Sequence, residues 1–167
     1  MMPGKHDLRL HDLRGKDLSA IDTTGYIVAH GRLDGCKFKT CKNMNFVGSS
    51  GSINLTGIDI TGATFWKADQ TVLDSLIGAV WNGVTITHVS HWLVKDDGSM
   101  AFCTNAFCQF GCMTKTISEW KAIGTDINTI RALLTEQPDV NLEFELAWWN
   151  RHKAKFEKWH NDNGLAF

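Results

Sequence analysis

The chain has 167 residues, 43% of them hydrophobic, with a formal net charge of −1 at pH 7. That content fills one domain, or a small repeat array with a small cap. A charge so close to balance does not announce a nucleic-acid binder, so direct nucleic-acid binding is not expected. No stretch approaches the ~20 apolar residues that a bilayer span needs, so no membrane partner is expected. The opening MMPGKHDLRL has no apolar signal core, and five cysteines without a secretory signal read as reduced thiols. The expected localisation is therefore cytoplasmic.

From His6 to Asn43 the sidedness of the sequence repeats every five residues, which fits neither a strand nor an ordinary helix. One inward column is Leu8, Leu13, Leu18, Thr23, Val28, Leu33, Phe38 and Asn43. The other becomes apolar or small from Ile21 onward, through Tyr26, Gly31, Cys36 and Cys41. Cys36 and Cys41 are expected to be packing residues. The outward rows of Asp7, Asp12 and Asp17 beside Arg9 and Arg14 are read as solvated charge pairs, each worth ~0 to 1 kcal/mol. Between Asn43 and Leu55 the spacing is two quintets plus two extra residues, which predicts a loop insertion at GSSGS, residues 48–52.

The five-residue register is expected to continue from Ser52 to Thr85. Its first column is Ile53, Ile58, Ala63, Ala68, Leu73, Gly78 and Gly83, and its second is Leu55, Ile60, Phe65, Gln70, Ser75, Val80 and Thr85. Asp59, Asp69 and Asp74 fall in an outward slot where a short acceptor can bond the local backbone at a corner. Trp66 and Trp81 fall just after the second inward column, so both are expected to point outward and to need cover or a partner. A chain that turns a corner every five residues and stacks its coils is a solenoid. The quintets IDITG (58–62), ATFWK (63–67) and ADQTV (68–72) resemble the pentapeptide-repeat family, whose unit reads A-[DN]-L-x-x. The resemblance implies a right-handed, four-sided β-helix with one quintet per side. The expected fold is thus mainly β: a right-handed parallel β-helix of about four coils over residues 1–86, then an α+β C-terminal module over 87–167 containing a β-hairpin and three helices.

After Thr85 the period changes. Residues 86–95 alternate as a strand would, DDGS (96–99) predicts a turn, and 100–112 predicts one or two returning strands. TISEW (116–120) carries a capping box with Thr116 as N-cap and Glu119 reaching back, and Gly124 is the expected stop. A second helix is predicted from Thr125 or Asp126, with Ile127, Ile130, Leu133 and Leu134 on one face, ending before Pro138. A third is predicted from Asp139 or Asn141 to about His160. The segment FGCMTKTISEW followed by two helices resembles an uncharacterised C-terminal module that accompanies pentapeptide runs in small bacteriophage proteins, which implies a phage-encoded protein. On the third helix Leu142, Phe144, Leu146, Trp148, Trp149, His152, Phe156 and Trp159 fill an arc wider than the ≳100° stripe one contact requires. Either the helix is clamped between its own sheet and the second helix, or Trp148 and Trp159 face a second copy in a homodimer.

Catalysis finds no support in G-x-S-x-G, H-E-x-x-H, P-loop or Gly-rich dinucleotide patterns, so no catalytic residue and no cofactor is expected. No metal is expected either. His88, His91, Cys108 and Cys112 form the alternative ligand set for Zn²⁺, against the reading of Cys103, Cys108 and Cys112 as buried thiols alternating with Phe102, Phe107 and Phe110. The expected function is a non-enzymatic, phage-type binding protein that blocks or sequesters a host component, in an anti-defence or host-takeover role. Its expected contact residues are Trp66, Trp81, Trp148, Arg151, Lys155 and Trp159. The alternatives are a DNA mimic that inhibits a DNA-binding enzyme such as a topoisomerase, and a sponge for a small nucleotide-like ligand. Expected partners are a second copy in a homodimer and a host protein or that ligand.

Overall fold

The computed structural model describes residues 7–96, 99–111, 113–122 and 142–165. The chain divides into two compact units, Met1–Thr114 and Lys115–Phe167.

The first unit is built from tight turns. About every fifth residue returns its N–H to the carbonyl three residues back, as in His11 to Leu8, Gly31 to Val28, Cys36 to Leu33 and Ala63 to Ile60, at 2.8 to 3.2 Å. The residue before the returning N–H has positive φ in most of these turns, for example Gly15, Gly25, Gly35 and Gly62. That is the geometry of a type II turn. Just before many of these turns a short acceptor bonds the N–H two residues on: Asp7 to Arg9, Asp12 to Arg14, Asp17 to Ser19, Asp22 to Thr24, Asn45 to Val47, Asn54 to Thr56 and Asp59 to Thr61. Each such side chain replaces water at a backbone donor that the turn leaves unpaired.

Successive turns lie over one another through parallel bridges, as Asp7 to Ile27 to Asn45 to Thr64, and Asp12 to Arg32 to Ser50. Only one of these contacts extends to a pair of strands, β1 (Asp17–Leu18) with β2 (Lys37–Phe38). The expected mainly-β, right-handed parallel β-helix of about four coils is corrected here. Among the described residues, parallel pairing outside β1 and β2 is confined to single bridges, and the longer strands pair antiparallel. The described residues also hold three helices. A corner every five residues leaves one or two residues between turns, too few to extend a ladder.

Three further departures have local causes. Asn43 is exposed with φ 58°, while Cys41, Met44 and Phe46 are fully buried, so the register breaks just after Phe38 and not after Asn43. Residues 48–52 are no protruding loop: Ser50 pairs with Arg32, Leu33 and Gly35 donate to the carbonyls of Ser50 and Ser52, and Asp69 donates to that of Ser49. From Ala68 to Ile77 no glycine or asparagine is available for a left-handed corner. The chain turns right-handed there, as α1 (Gln70–Asp74). Asp69 and Asp74 therefore flank and end a helical turn, and among the three outward acids Asp59 alone bonds the backbone N–H of a corner. Asn82 and Gly83, both with positive φ, then join β3 (Val80–Trp81) to β4 (Val84–Thr85) in an antiparallel hairpin.

The expected antiparallel sheet after residue 86 is present: β5 (Val94–Asp96), β6 (Ser99–Cys103), β7 (Phe107–Phe110) and β8 (Met113–Thr116), in that order. Phe102, Ala106 and Phe107 share the core of the turns, so residues 87–114, expected with the C-terminal module, belong to the first unit. An aromatic column runs through this core. Phe38 meets Phe46 edge-on at 6.3 Å, Phe46 stacks on Phe65 at 5.2 Å, Phe65 stacks on Phe107 at 6.4 Å, and Phe107 stacks on Trp81 at 4.0 Å. Thr23, the polar member of the inward column, donates its hydroxyl to the Thr40 carbonyl and so satisfies the cost of burial.

In the second unit α2 (Ile117–Ala122) starts with the expected capping box. The Thr116 N–H donates to the Glu119 carboxylate at 3.1 Å, and the Glu119 N–H donates to the Thr116 hydroxyl at 3.2 Å. Gly124 and the expected second helix lie outside the described residues. The expected third helix is α3 (Leu142–Asp162). It stops in a Schellman motif, with Gly164 at φ 69° and Leu165 donating to the His160 carbonyl. Trp120 stacks on Trp149 at 5.2 Å and meets Phe156 edge-on, which makes these three rings the centre of the unit.

Two outcomes test this picture. Phe65→Ala should lower stability by about 3–5 kcal/mol in urea unfolding, whereas exposed Thr56→Ala should change it by less than about 0.5 kcal/mol. The corner acids should also make the protein acid-sensitive. Hydrogen bonds from the side chain and backbone of the residue two positions on hold Asp7, Asp12, Asp17, Asp22 and Asp59 below the usual carboxylate range, Asp12 at about 2. A depressed folded-state pKa gives stability that is present above the unfolded value, about 3.9, and lost as pH falls through the folded one. The urea midpoint should therefore fall between about pH 4 and pH 2 while these acids titrate.

Candidate binding ridge

At a type II corner the third residue must sit in the left-handed region, which costs a residue with a Cβ about 1–2 kcal/mol. Most corners avoid that cost with glycine or asparagine. One edge does not: Leu10 (φ 62°), His30 (φ 57°) and Lys67 (φ 58°) occupy left-handed corners there. The backbone aligns them. Leu10 donates to the Ala29 carbonyl at 3.0 Å, His30 to the Val47 carbonyl at 2.7 Å, and Gly48 to the Trp66 carbonyl at 2.9 Å. Leu10, His30, Gly48 and Lys67 thus form one row across successive turns.

Gly48 is the member that has to be small. A Cβ there would stand 2.2 Å from Nδ1 of His30, whose ring lies over the glycine. Leu10 is 78% exposed, the most exposed large apolar residue among those described. At the other end of the row the Lys67 ammonium lies 4.4 Å from the Trp66 ring centroid, within cation–π range. Beside Leu10, the Arg9 guanidinium forks onto Asp7, with Nε to Oδ1 at 2.8 Å and the terminal nitrogen to Oδ2 at 2.6 Å. That bond holds the Asp7 carboxyl low and raises Arg9 further, so the pair stays charged at neutral pH. The row therefore presents an aliphatic side chain, an imidazole and an ammonium beside a half-buried indole, all on strained backbone.

The residues expected from the sequence are distributed differently. Trp66 is half-buried and belongs to this ridge. Trp81 is a correction: it is 6% exposed and stacked on Phe107, because the Asn82–Gly83 hairpin turns it into the core. Arg151 and Lys155 are exposed on α3, with Arg151 Nε 3.3 Å from Nε2 of the neighbouring His152. Trp159 is half-buried and edge-on to His160 at 4.9 Å. The side chain of Trp148 and the whole of Cys112 lie outside the described residues. His88 bonds Thr87 through its ring and Asn105 through its N–H. Neither His88 nor His91 shares a group of three or more close metal-ligating side chains among the described residues. Cys108 instead faces Cys103, with their sulfurs 2.8 Å apart.

The sequence reading missed Leu10, His30 and Lys67. Their signal was a gap in composition: each stands where neighbouring quintets place glycine or asparagine.

No family model, curated protein or solved structure matches the chain. No helix among the described residues is long and apolar enough to cross a membrane.

Relief of backbone strain tests the geometry of the row. Leu10→Gly should leave the urea midpoint unchanged or raise stability by up to about 1 kcal/mol, although it deletes a side chain. A leucine fitted to an ordinary exposed position would lose stability by the same change, because glycine adds disorder to the unfolded chain.

Proposed function

We propose that this protein acts by binding and not by catalysis, with the Leu10–His30–Trp66–Lys67 ridge as its contact surface for a protein partner. A single observation carries the reading: three side chains with a Cβ hold left-handed backbone along one exposed edge, where glycine would fold at lower cost. Strain that folding does not require is the mark of a surface kept for another purpose. The chemistry on offer fits a contact site. An exposed leucine and an indole supply apolar area, His30 and Lys67 supply donors, and rigid backbone lowers the entropy lost on association.

The partner in this proposal is a host component that the protein blocks or sequesters, in keeping with the phage-type resemblance of its quintets and of FGCMTKTISEW. The DNA-mimic alternative is less well supported, because the outward acids have cations at hand. Asp12 faces Arg14 and Arg32, Asp17 faces Lys37, Asp22 faces Lys39, and Asp59 faces Lys42. Alternating charge of this kind does not reproduce the continuous negative field of a duplex.

The test compares tagged full-length protein with a triple variant, Leu10→Gly, His30→Gly and Lys67→Gly, as baits for a bacterial lysate. The expected result is a protein retained stoichiometrically by the wild type and lost by the variant, with the variant's urea midpoint no lower. Equal retention by both baits would place the contact surface elsewhere. A nucleotide released on denaturation with no protein retained would favour the sponge for a small ligand.

A further inference from the structure

The pair Cys103 and Cys108 stands apart from the ridge and from the aromatic column. The two residues are opposite each other in the register of β6 and β7, joined by the turn through Thr104–Phe107. Thr104 donates to the Phe107 carbonyl and Gly111 to the Met100 carbonyl, both at 2.8 Å. In an antiparallel ladder bonded and non-bonded pairs alternate, so these bonds place Cys103 and Cys108 in a non-hydrogen-bonded pair. The backbone of Cys103 confirms it by pairing on its other side. Its N–H donates to the Ser90 hydroxyl, and its carbonyl accepts from the Ser90 N–H.

Side chains approach most closely in such pairs, with Cα atoms about 4.5 Å apart, inside the range that a disulfide spans. The sulfurs are 2.8 Å apart, so about 0.8 Å of further approach reaches the ~2.05 Å of an S–S bond. Neither cysteine is in a disulfide, and both are fully buried. The other described thiols differ. Cys36 and Cys41 are buried among the turns, and no sulfur–sulfur contact joins either to a second cysteine among the described residues.

We propose that Cys103 and Cys108 form a reversible redox pair that closes to an intrachain disulfide by exchange with a low-molecular-weight disulfide. Local opening of the hairpin exposes one thiol, which loses its proton and attacks the oxidant's S–S bond, expelling the first small thiol and leaving a mixed disulfide. The second cysteine, as thiolate, attacks the protein-side sulfur and expels the second small thiol. The protein pair loses two electrons and two protons, and the oxidant leaves as two thiols. Burial, with the neighbouring Cys108, pushes the Cys103 thiol well up, so the closed fold holds Cys103 protonated and exchange waits on opening.

The test equilibrates the full-length protein in mixtures of reduced and oxidised glutathione, quenches with an alkylating agent in denaturant, and maps the cysteines by mass spectrometry. The expected result is a peptide linking Cys103 to Cys108, about 2 Da lighter than the dithiol and unalkylated at both positions. It should rise with the oxidised fraction, revert on reduction, and be absent from Cys103→Ser. The assignment rests on wild-type peptides and does not depend on that variant folding. Alkylation of both cysteines at every ratio overturns the proposal, as does a link through Cys112. A metal ion that copurifies with the protein and blocks exchange until chelated also overturns it, since the sulfurs would then be ligands.

Discussion

The first unit depends on its ability to place a left-handed residue at a fixed position in successive tight turns. The bridging hydrogen bonds between turns, the inward aromatic column and the outward rows of acids all require that each corner close within four residues. Most corners close through positive φ, which is available at low cost only to glycine and, with local bonding, to asparagine. Where the sequence supplies Gly15, Gly25, Gly35 or Gly62 the turns follow one another. Where it supplies Gln70, Thr71 and Val72, the chain becomes a helical turn. One conformational requirement thus decides both where the stacking holds and where it ends.

Much of the interior was legible on that basis. Leu13, Val28, Leu33 and Phe38 are inward and buried as their five-residue spacing predicts, and the Thr116–Glu119 capping box forms as its short motif predicts. Both signals are local, carried by residues within one or two turns of each other. The misreadings share a cause: a period counted in one register runs on past the point where the backbone changes. The five-residue period places Asn43 inward although it is itself a corner, and Trp81 outward although Asn82–Gly83 reverses the chain beside it. The Asn-Gly pair was readable as a hairpin turn, and the quintet count ran over it.

The candidate surface and the thiol pair were harder to see, for different reasons. Leu10, His30 and Lys67 are ordinary residues in any one quintet, and they form a row only after backbone bonds between turns put them side by side. The Cys103–Cys108 pair was hidden by a sound generalisation, that free cysteines among phenylalanines behave as small apolar residues. Strand register changes its meaning. Two thiols opposite each other in a non-hydrogen-bonded pair are reactants held at close range, whereas the same two thiols on opposite faces would be packing alone.

Strain and burial also divide the molecule's tasks. The aromatic column from Phe38 to Trp81 fills the interior of the first unit with apolar rings, and the interior hydroxyl of Thr23 is already bonded to the Thr40 carbonyl. The proposed recognition would fall to the outside, where Asp12, Asp17, Asp22 and Asp59 are committed to capping their own corners. What remains free to vary is the side chain at each corner, because a corner's backbone is fixed by its neighbours above and below. A partner surface built from corner residues inherits that rigidity. Its cost is about 1–2 kcal/mol of strain per residue that replaces glycine, a cost the stacked backbone bonds are able to offset.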